Sequence, residues 1–418
     1  MWKRRQRTCV ISRCKRFKTL AAQWSLYLAL SLIGPGAWAS DFATCVAELR
    51  IGIEQQIPPT PATRQLIDNL TEIPRVIAED RSQAEFTRTF RDYYLRRVTS
   101  KRIDTGRTMR HTHAPLLQRI ERIYGVQGPY LLALWGLETN FGSYLGKLSV
   151  PSALATLACE GRRRDFFTAQ LTALVDLVAK GDMREDQLIG SWAGAMGHMQ
   201  FMPTTYSAYA IDGDGDGRRD VYASLPDALS SAAHYLQQLD WQPGYRWGRE
   251  VMLPPGFDYA EAHYGNWQTL SYWRDQGVTD SAGRLVAELD LSSAILLPSG
   301  KQGPAFIVYP NFKAIMKWNR SINYALSVGR LADRIAGMGG LATPLPSAAA
   351  LRLSTEDLIE IQQHLIESGD LRGKADGILG LGTRGALRAY QKRHALDADG
   401  YPTTQLLQHL RAREDTAR

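Results

Sequence analysis

The sequence predicts a mainly α fold with a small β component (α+β), followed by a small three-helix C-terminal domain. Three observations carry this. Apolar residues recur at helical spacing through most of residues 41–340, clearly so in 163–180 and 224–239. Strand-like patterns are confined to 249–254 and 293–309, the second interrupted by Pro-Ser-Gly-Lys-Gln-Gly-Pro, which reads as a hairpin. A Pro/Ala-rich break at 341–350 then precedes short helical patterns at 355–368, 383–394 and 403–413. A length of 418 residues with 44% apolar content suits two or three domains with real cores.

Taken in order, residues 1–39 come first. They contain Lys3, Arg4, Arg5, Arg7, Arg13, Lys15, Arg16 and Lys18 and no Asp or Glu. An apolar run from Leu26 to Ile33 leads to Ala37-Trp38-Ala39, the pattern of a secretory signal peptide cleaved after Ala39. The basic region is long enough to admit an internal start codon. Gly34, Pro35 and Gly36 break the apolar stretch below the ~20 residues of a membrane span, so no stable membrane anchor is expected. No cysteine follows the cleavage site, so no lipobox is present. Taking these eight from the 50 Lys and Arg leaves 42, equal to the 42 Asp and Glu. The mature chain is formally neutral, and the nucleic-acid partner that a net +8 invites is excluded. Cys45 and Cys159 are the only cysteines beyond the leader. In an exported chain they either pair or stay as two buried thiols, and two isolated cysteines do not make a metal site.

Gly128-Pro129 opens a helix in which Leu131, Leu134, Trp135 and Glu138 share one face. A carboxylate ending an apolar stripe is a local conflict, because desolvation favours its protonated form, as a general acid needs. The competing reading is a glutamate that turns to solvent or pairs with Arg163 or Arg164. Residues 191–203, Ser-Trp-Ala-Gly-Ala-Met-Gly-His-Met-Gln-Phe-Met-Pro, are crowded with small residues that let backbone and ligand approach closely. Ser191 and Gln200 could donate to sugar hydroxyl and acetamido groups, while a tight helix crossing explains the same residues. His198 reads as a packing or hydrogen-bonding residue. Ser224 with Pro226 starts the next helix as cap and first-turn proline.

Trp-Gly-Leu-Glu138-Thr-Asn-Phe-Gly, the Ser191–Pro203 segment and the Asp-rich loop after it resemble, in that order, the membrane-bound lytic transglycosylase B family (glycoside hydrolase family 103) over roughly residues 41–340. The resemblance implies a lysozyme-like helical catalytic domain at 40–340 with a small β-containing insertion. It implies that Glu138 is the sole catalytic acid/base. Glu138 would protonate the glycosidic oxygen between N-acetylmuramic acid and N-acetylglucosamine, then deprotonate the muramic C6 hydroxyl to leave a 1,6-anhydro product. Such chemistry suits one carboxylate, whereas retaining and inverting hydrolases usually use two. Only Glu160 and the Asp loop offer others nearby. The resemblance further implies substrate-binding roles for Ser191, Gln200, Arg163, Arg164, Tyr235 and Asn319, with Asn319 at the acetamido group and Arg164 at peptide-stem carboxylates. The family often carries tyrosine where Trp318 stands.

Asp212-Gly-Asp214-Gly-Asp216-Gly217-Arg218-Arg-Asp220 places carboxylates at positions 1, 3, 5 and 9 of an EF-hand-like loop, with the Arg218 carbonyl at position 7. Hard oxygens around a tight turn suit Ca2+, and Ala223 at position 12, where a bidentate glutamate is expected, makes the binding weak. A metal-free Asx-turn loop is the alternative. The resemblance implies a structural calcium site, and no organic cofactor is expected.

After a linker at 341–352, residues 353–413 resemble the peptidoglycan-binding module through Asp376-Gly-x-x-Gly380-x-x-Thr383, Ala386 and Tyr390-Gln391. Thr383 is expected to cap its helix, and Asp376 and Arg384 are candidate wall contacts. The module's role would be tethering, which raises the local enzyme concentration on an insoluble substrate. The resulting expectation is a periplasmic, monomeric lytic transglycosylase whose partner is the peptidoglycan glycan strand. A muramidase on the same scaffold and a non-catalytic wall-binding protein are the rivals.

Overall fold

The structure is a computed structural model that describes residues 42–81, 88–348 and 353–417. The signal-peptide segment and residues 349–352 of the linker lie outside the described residues. Among those described, no helix is long and apolar enough to cross a membrane.

The Gly128–Thr139 helix runs through the middle of the main core, packed by the helices Ser100–Thr112, Ala114–Tyr124, Leu225–Gln238 and Ile322–Ile335. Ten of its twelve residues are buried, all except Pro129 and Glu138. This corrects the expected single apolar face: a helix enclosed on every side has no polar stripe to show. Glu138 is therefore a polar group on a helix otherwise committed to the interior. Past it, Asn140, Phe141 and Gly142 all adopt positive φ (50°, 60° and 77°), reversing the chain within one turn. Thr139 Oγ1 holds the turn, accepting from Gly142 N (3.1 Å) and donating to His198 O (2.8 Å). A Cβ on Gly142 would lie 2.3 Å from the His198 ring, so only glycine fits.

Two more helices bear on stability. Val150–Glu160 packs against Phe42–Glu54, and a Cys45–Cys159 disulfide joins them, deciding between the two readings of those cysteines. Leu225–Gln238 starts as expected, with Ser224 accepting from the Asp227 amide.

The β-containing insertion is a five-stranded antiparallel sheet in the order 268–269, 292–296, 305–308, 248–252 and 279–280. The expected hairpin is its centre, with Ile295 opposite Ile307. Strand alternation divides its residues between two cores. Ala294, Leu296, Phe306 and Val308 enter the main helical core, while Ile295, Ala305 and Ile307 pack with Val251 and the fully buried Trp273. Both faces are covered, so the middle strand, 305–308 (Ala-Phe-Ile-Val), is apolar at every position.

The C-terminal helices Thr355–Glu367, Leu381–Arg393 and Thr404–Ala417 enclose Ile361, Leu365, Leu387, Leu407 and Leu410. Two expectations are corrected here, those for Thr383 and Arg384. Thr383 does not cap its helix, because Gly380 takes the cap and Thr383 Oγ1 donates to Ile378 O and accepts from Gln362. Asp376 is exposed, with Oδ1 accepting from Gln362 Nε2 and the Ile378 amide. Arg384 is also spent within the protein: it donates to Pro298 O (2.9 Å) and Leu297 O and lies 5.3 Å from the Tyr401 ring. With Lys301 bound by Asp397 and Asp399, Arg384 docks the module onto the tip of the β-hairpin. The start of the linker is likewise strapped down, its Ala342 and Thr343 amides donating to the buried Glu250 carboxylate (2.8 and 2.7 Å).

Candidate active site

Glu138 ends the central helix facing two donors from distant parts of the chain. Trp318 Nε1 donates to its Oε1 at 3.0 Å, and the Tyr324 hydroxyl donates to the same oxygen at 2.5 Å. Trp318 closes the Pro310–Trp318 helix, and Tyr324 lies in the first turn of Ile322–Ile335, whose cap is Ser321. Burial and the nearby Glu138 charge push the Tyr324 hydroxyl well above its usual range, so it stays a neutral donor at any working pH. Arg97 lies close enough for its charge to oppose that rise, and its guanidinium sits 5.3 Å from the Tyr93 ring. Trp318 and Tyr324 thus fix the carboxylate through one oxygen at the end of the helix. That is the arrangement a general acid and base requires.

An aromatic shelf adjoins the carboxylate. Tyr235 lies 5.2 Å from Trp318 and stacks on Tyr209 at 4.6 Å, and Phe201 meets both Tyr235 and Trp318. Asn319 follows Trp318 directly, in extended backbone, at the end of the same helix. The structure therefore brings Glu138, Trp318, Tyr235 and Asn319 into one region.

Ser191 and Gln200 shape the adjoining turns. Ser191 Oγ accepts from the Ala195 amide (3.0 Å), and Gln200, at φ 50°, donates both amide hydrogens to Leu145 O and Gly197 O. His198 accepts the Trp135 indole N–H on Nδ1 (3.0 Å), and burial lowers its pKa. A neutral ring with that nitrogen occupied is a packing element, as the sequence suggested.

The two arginines go elsewhere. Arg163 joins Arg162 on the buried Asp80 carboxylate and sits 4.6 Å from the Phe167 ring, while Arg164 pairs with Glu48 at 2.7 Å. Neither arginine pairs with Glu138; these part-exposed guanidiniums meet the carboxylates of Asp80 and Glu48. Glu160 is similarly engaged, its carboxyl held below the usual range chiefly by the Arg81 hydrogen bond. Trp318 and Tyr324 are the residues sequence reasoning underrated or missed. Their only local signal was Trp-Asn-Arg-Ser followed by a capped aromatic helix.

In the aspartate loop, oxygens of Asp212, Asp214 and Asp227 lie within 4.8 Å of one another. Asp227 was not among the expected ligands; it is fully buried on the following helix and accepts from the Gly213, Asp214 and Asp220 amides. Asp216 and Asp220 instead turn a carboxylate oxygen onto amides of their own loop, those of Arg218 and of Tyr222 and Ala223.

Tyr324→Phe tests the assignment of a donor role to this hydroxyl. Loss of one hydrogen bond to a charged group, worth about 1.5–3 kcal/mol, is expected to lower kcat about tenfold or more with KM little changed. Steady-state kinetics on soluble glycan fragments measure it, and an unchanged kcat contradicts the assignment.

A family model for the transglycosylase SLT domain matches residues 41–333, and one for a peptidoglycan-binding domain matches residues 354–410. The chain is 30% identical over 251 residues to the membrane-bound lytic murein transglycosylase B of Escherichia coli (strain K12), covering 58% of this chain. The match spans 66% of that curated relative, just under two thirds of its length. The crystal structure of SltB3 from Pseudomonas aeruginosa in complex with NAG-anhNAM-pentapeptide is similar with a TM-score of 0.82 at 41% identity, covering 89% of this chain and 100% of the other. The soluble lytic transglycosylase SltB1 of the same organism reaches a TM-score of 0.62 at 28% identity, covering 70% and 98%.

Proposed function

The chain belongs to the transglycosylase SLT-domain family, and on that premise we propose that it is a peptidoglycan lytic transglycosylase in which Glu138 acts first as acid and then as base. Residues 40–340 form the catalytic domain and 353–413 the wall-binding module in this reading. Glu138 delivers its proton to the glycosidic oxygen as the bond to the muramic C1 breaks, freeing the N-acetylglucosamine hydroxyl. The muramic C6 oxygen then bonds to C1, and its proton returns to the Glu138 carboxylate. Atoms balance without water, so the product is a 1,6-anhydro end and the enzyme is regenerated.

One observation carries the reading: two donors from distant segments hold the carboxylate of Glu138 on a helix of which ten of twelve residues are buried. The engagement of Glu160 by Arg81 supports single-carboxylate chemistry over a two-carboxylate hydrolase. Trp318 and Tyr235 suit stacking against sugar rings, and Asn319 suits the acetamido group. Ser191 and Gln200 serve by holding the turns that line the cleft. Mass analysis of products from purified sacculi tests the reaction, because anhydro-muramic ends are lighter by one water than the reducing ends a muramidase leaves. Reducing ends alone would refute it.

The donor set of the aspartate loop fits Ca2+: three carboxylates supply hard oxygens within a 4.8 Å spread. Asp212, Asp214 and Asp227 would hold the ion, Asp227 standing in for the missing carboxylate at loop position 12, and the ion would brace the loop without entering the reaction. At the weak affinity of extracellular modules, millimolar Ca2+ should stabilise the protein by about 2 kcal/mol. Thermal melting in Ca2+ against chelator is expected to show that difference in the wild type and none in Asp227→Asn. A disulfide and an export leader together support a periplasmic location, with the protein acting as a monomer on glycan strands.

A further inference from the structure

His198 touches the central helix on both sides of Glu138. Its ring accepts the Trp135 indole N–H on Nδ1 (3.0 Å), and its carbonyl accepts from Thr139 Oγ1 (2.8 Å). Trp135 and Thr139 stand at i and i+4 of that helix, neighbours across one turn, with Glu138 between them in the chain. Both are buried, at 4% and 1% exposure, so bulk water does not replace a lost partner there.

The same ring props the turn beyond Glu138. It lies edge-on to the Trp135 ring at 5.6 Å and fills the space that a side chain at Gly142 would need. That turn holds Asn140 and Phe141 in the left-handed region, which costs free energy and persists only where the surroundings enforce it. Burial favours the neutral imidazole, so Nδ1 stays an acceptor and the ring hydrogen sits on Nε2. His198 is itself held from behind. Its amide donates to Val221 O (3.0 Å), just past the aspartate loop, and Gln200 ties the same turn to Leu145 O and Gly197 O.

Trp318 and Tyr324 hold the carboxylate, but neither holds the backbone that presents it. Apolar packing is non-directional, whereas hydrogen bonds at i and i+4 fail if the helix end turns about its axis. We propose that His198 is a positioning residue of the reaction, setting through Trp135 and Thr139 the rotation of the helix end that presents Glu138. The inference rests on the transglycosylase reading above. His198 exchanges no proton and acts through Glu138 alone. Proton transfer depends steeply on placement, an error of about 1 Å costing on the order of 10²-fold, so loosening the helix end lowers kcat and spares KM.

The test compares full-chain variants on purified glycan strands, with steady-state kinetics, mass analysis of products and thermal melting. His198→Phe keeps a ring but deletes the acceptor, and His198→Asn restores an acceptor close to the position of Nδ1. The phenylalanine variant is expected to lose about tenfold in kcat with KM close to wild type, and asparagine to recover most of that loss. Thr139→Val removes the second bond at nearly constant volume and should give the same fall in kcat alone, which keeps the test open if His198→Phe does not fold. With 1,6-anhydro products still forming, three results overturn the inference alone: unchanged kcat in Thr139→Val and His198→Phe, a rise in KM at constant kcat, or asparagine no better than a folded phenylalanine variant. Absence of anhydro products from the wild type overturns the underlying reading and the inference with it.

Discussion

Glu138→Gln is expected to reduce release of 1,6-anhydro products from purified sacculi by at least ~10³-fold, while melting temperature stays close to wild type. The magnitude follows from the role: one group supplies both proton transfers, each worth about 10²–10⁴-fold in typical general acid–base catalysis. Glutamine keeps the side-chain length and an amide oxygen that can still accept from Trp318 and Tyr324, so the site should fold around it. It cannot deliver or take up the proton. Chromatography of digested sacculi with mass detection makes the comparison. Equal activity in wild type and variant would remove Glu138 from the chemistry, and background lysis by both would leave only a wall-binding protein.

The second large effect is on stability. Cys45→Ala/Cys159→Ala should lower unfolding free energy by about 4 kcal/mol, read as a lower denaturant midpoint. The two cysteines are 114 residues apart, so the cross-link closes a long loop in the unfolded chain, and the entropy it removes grows with the logarithm of that length. Cys45 is fully buried, and alanine in its place leaves only a small space. A midpoint equal to the wild type would show that the helices 42–54 and 150–160 hold each other without the bond.

Several parts of this protein were legible before any coordinates. The helix bearing Glu138, the Ser224 cap, the hairpin and the three C-terminal helices follow from periodicity and capping residues, which act over a few neighbours along the chain. A carboxylate on an apolar helix singled out Glu138 as a local conflict, and the resemblance of its motif to a known family implied the acid/base role. Where the reading failed, the missing information was distant in sequence. The docking partners of Arg384, the 297–298 carbonyls, lie 86–87 residues away, and nothing along the chain marked the Asp80 and Glu48 partners of Arg163 and Arg164, 83 and 116 residues off. Asp227 escaped because it sits on the next helix, outside the loop pattern that suggested calcium.

By itself, then, the sequence determined the kind of helices and strands, the order of the domains and the one carboxylate placed against its environment. All of these are set by interactions within a turn or two of the backbone. Only the tertiary structure decided which oxygen of Glu138 is held and by whom. Trp318 and Tyr324 reach it from 180 and 186 residues away, across two helix ends. It also docked the C-terminal module onto the catalytic domain, through Arg384 on the hairpin tip and Asp399 on Lys301. The reason is common to both: a hydrogen bond depends on separation in space, and the fold alone converts distance along the chain into contact.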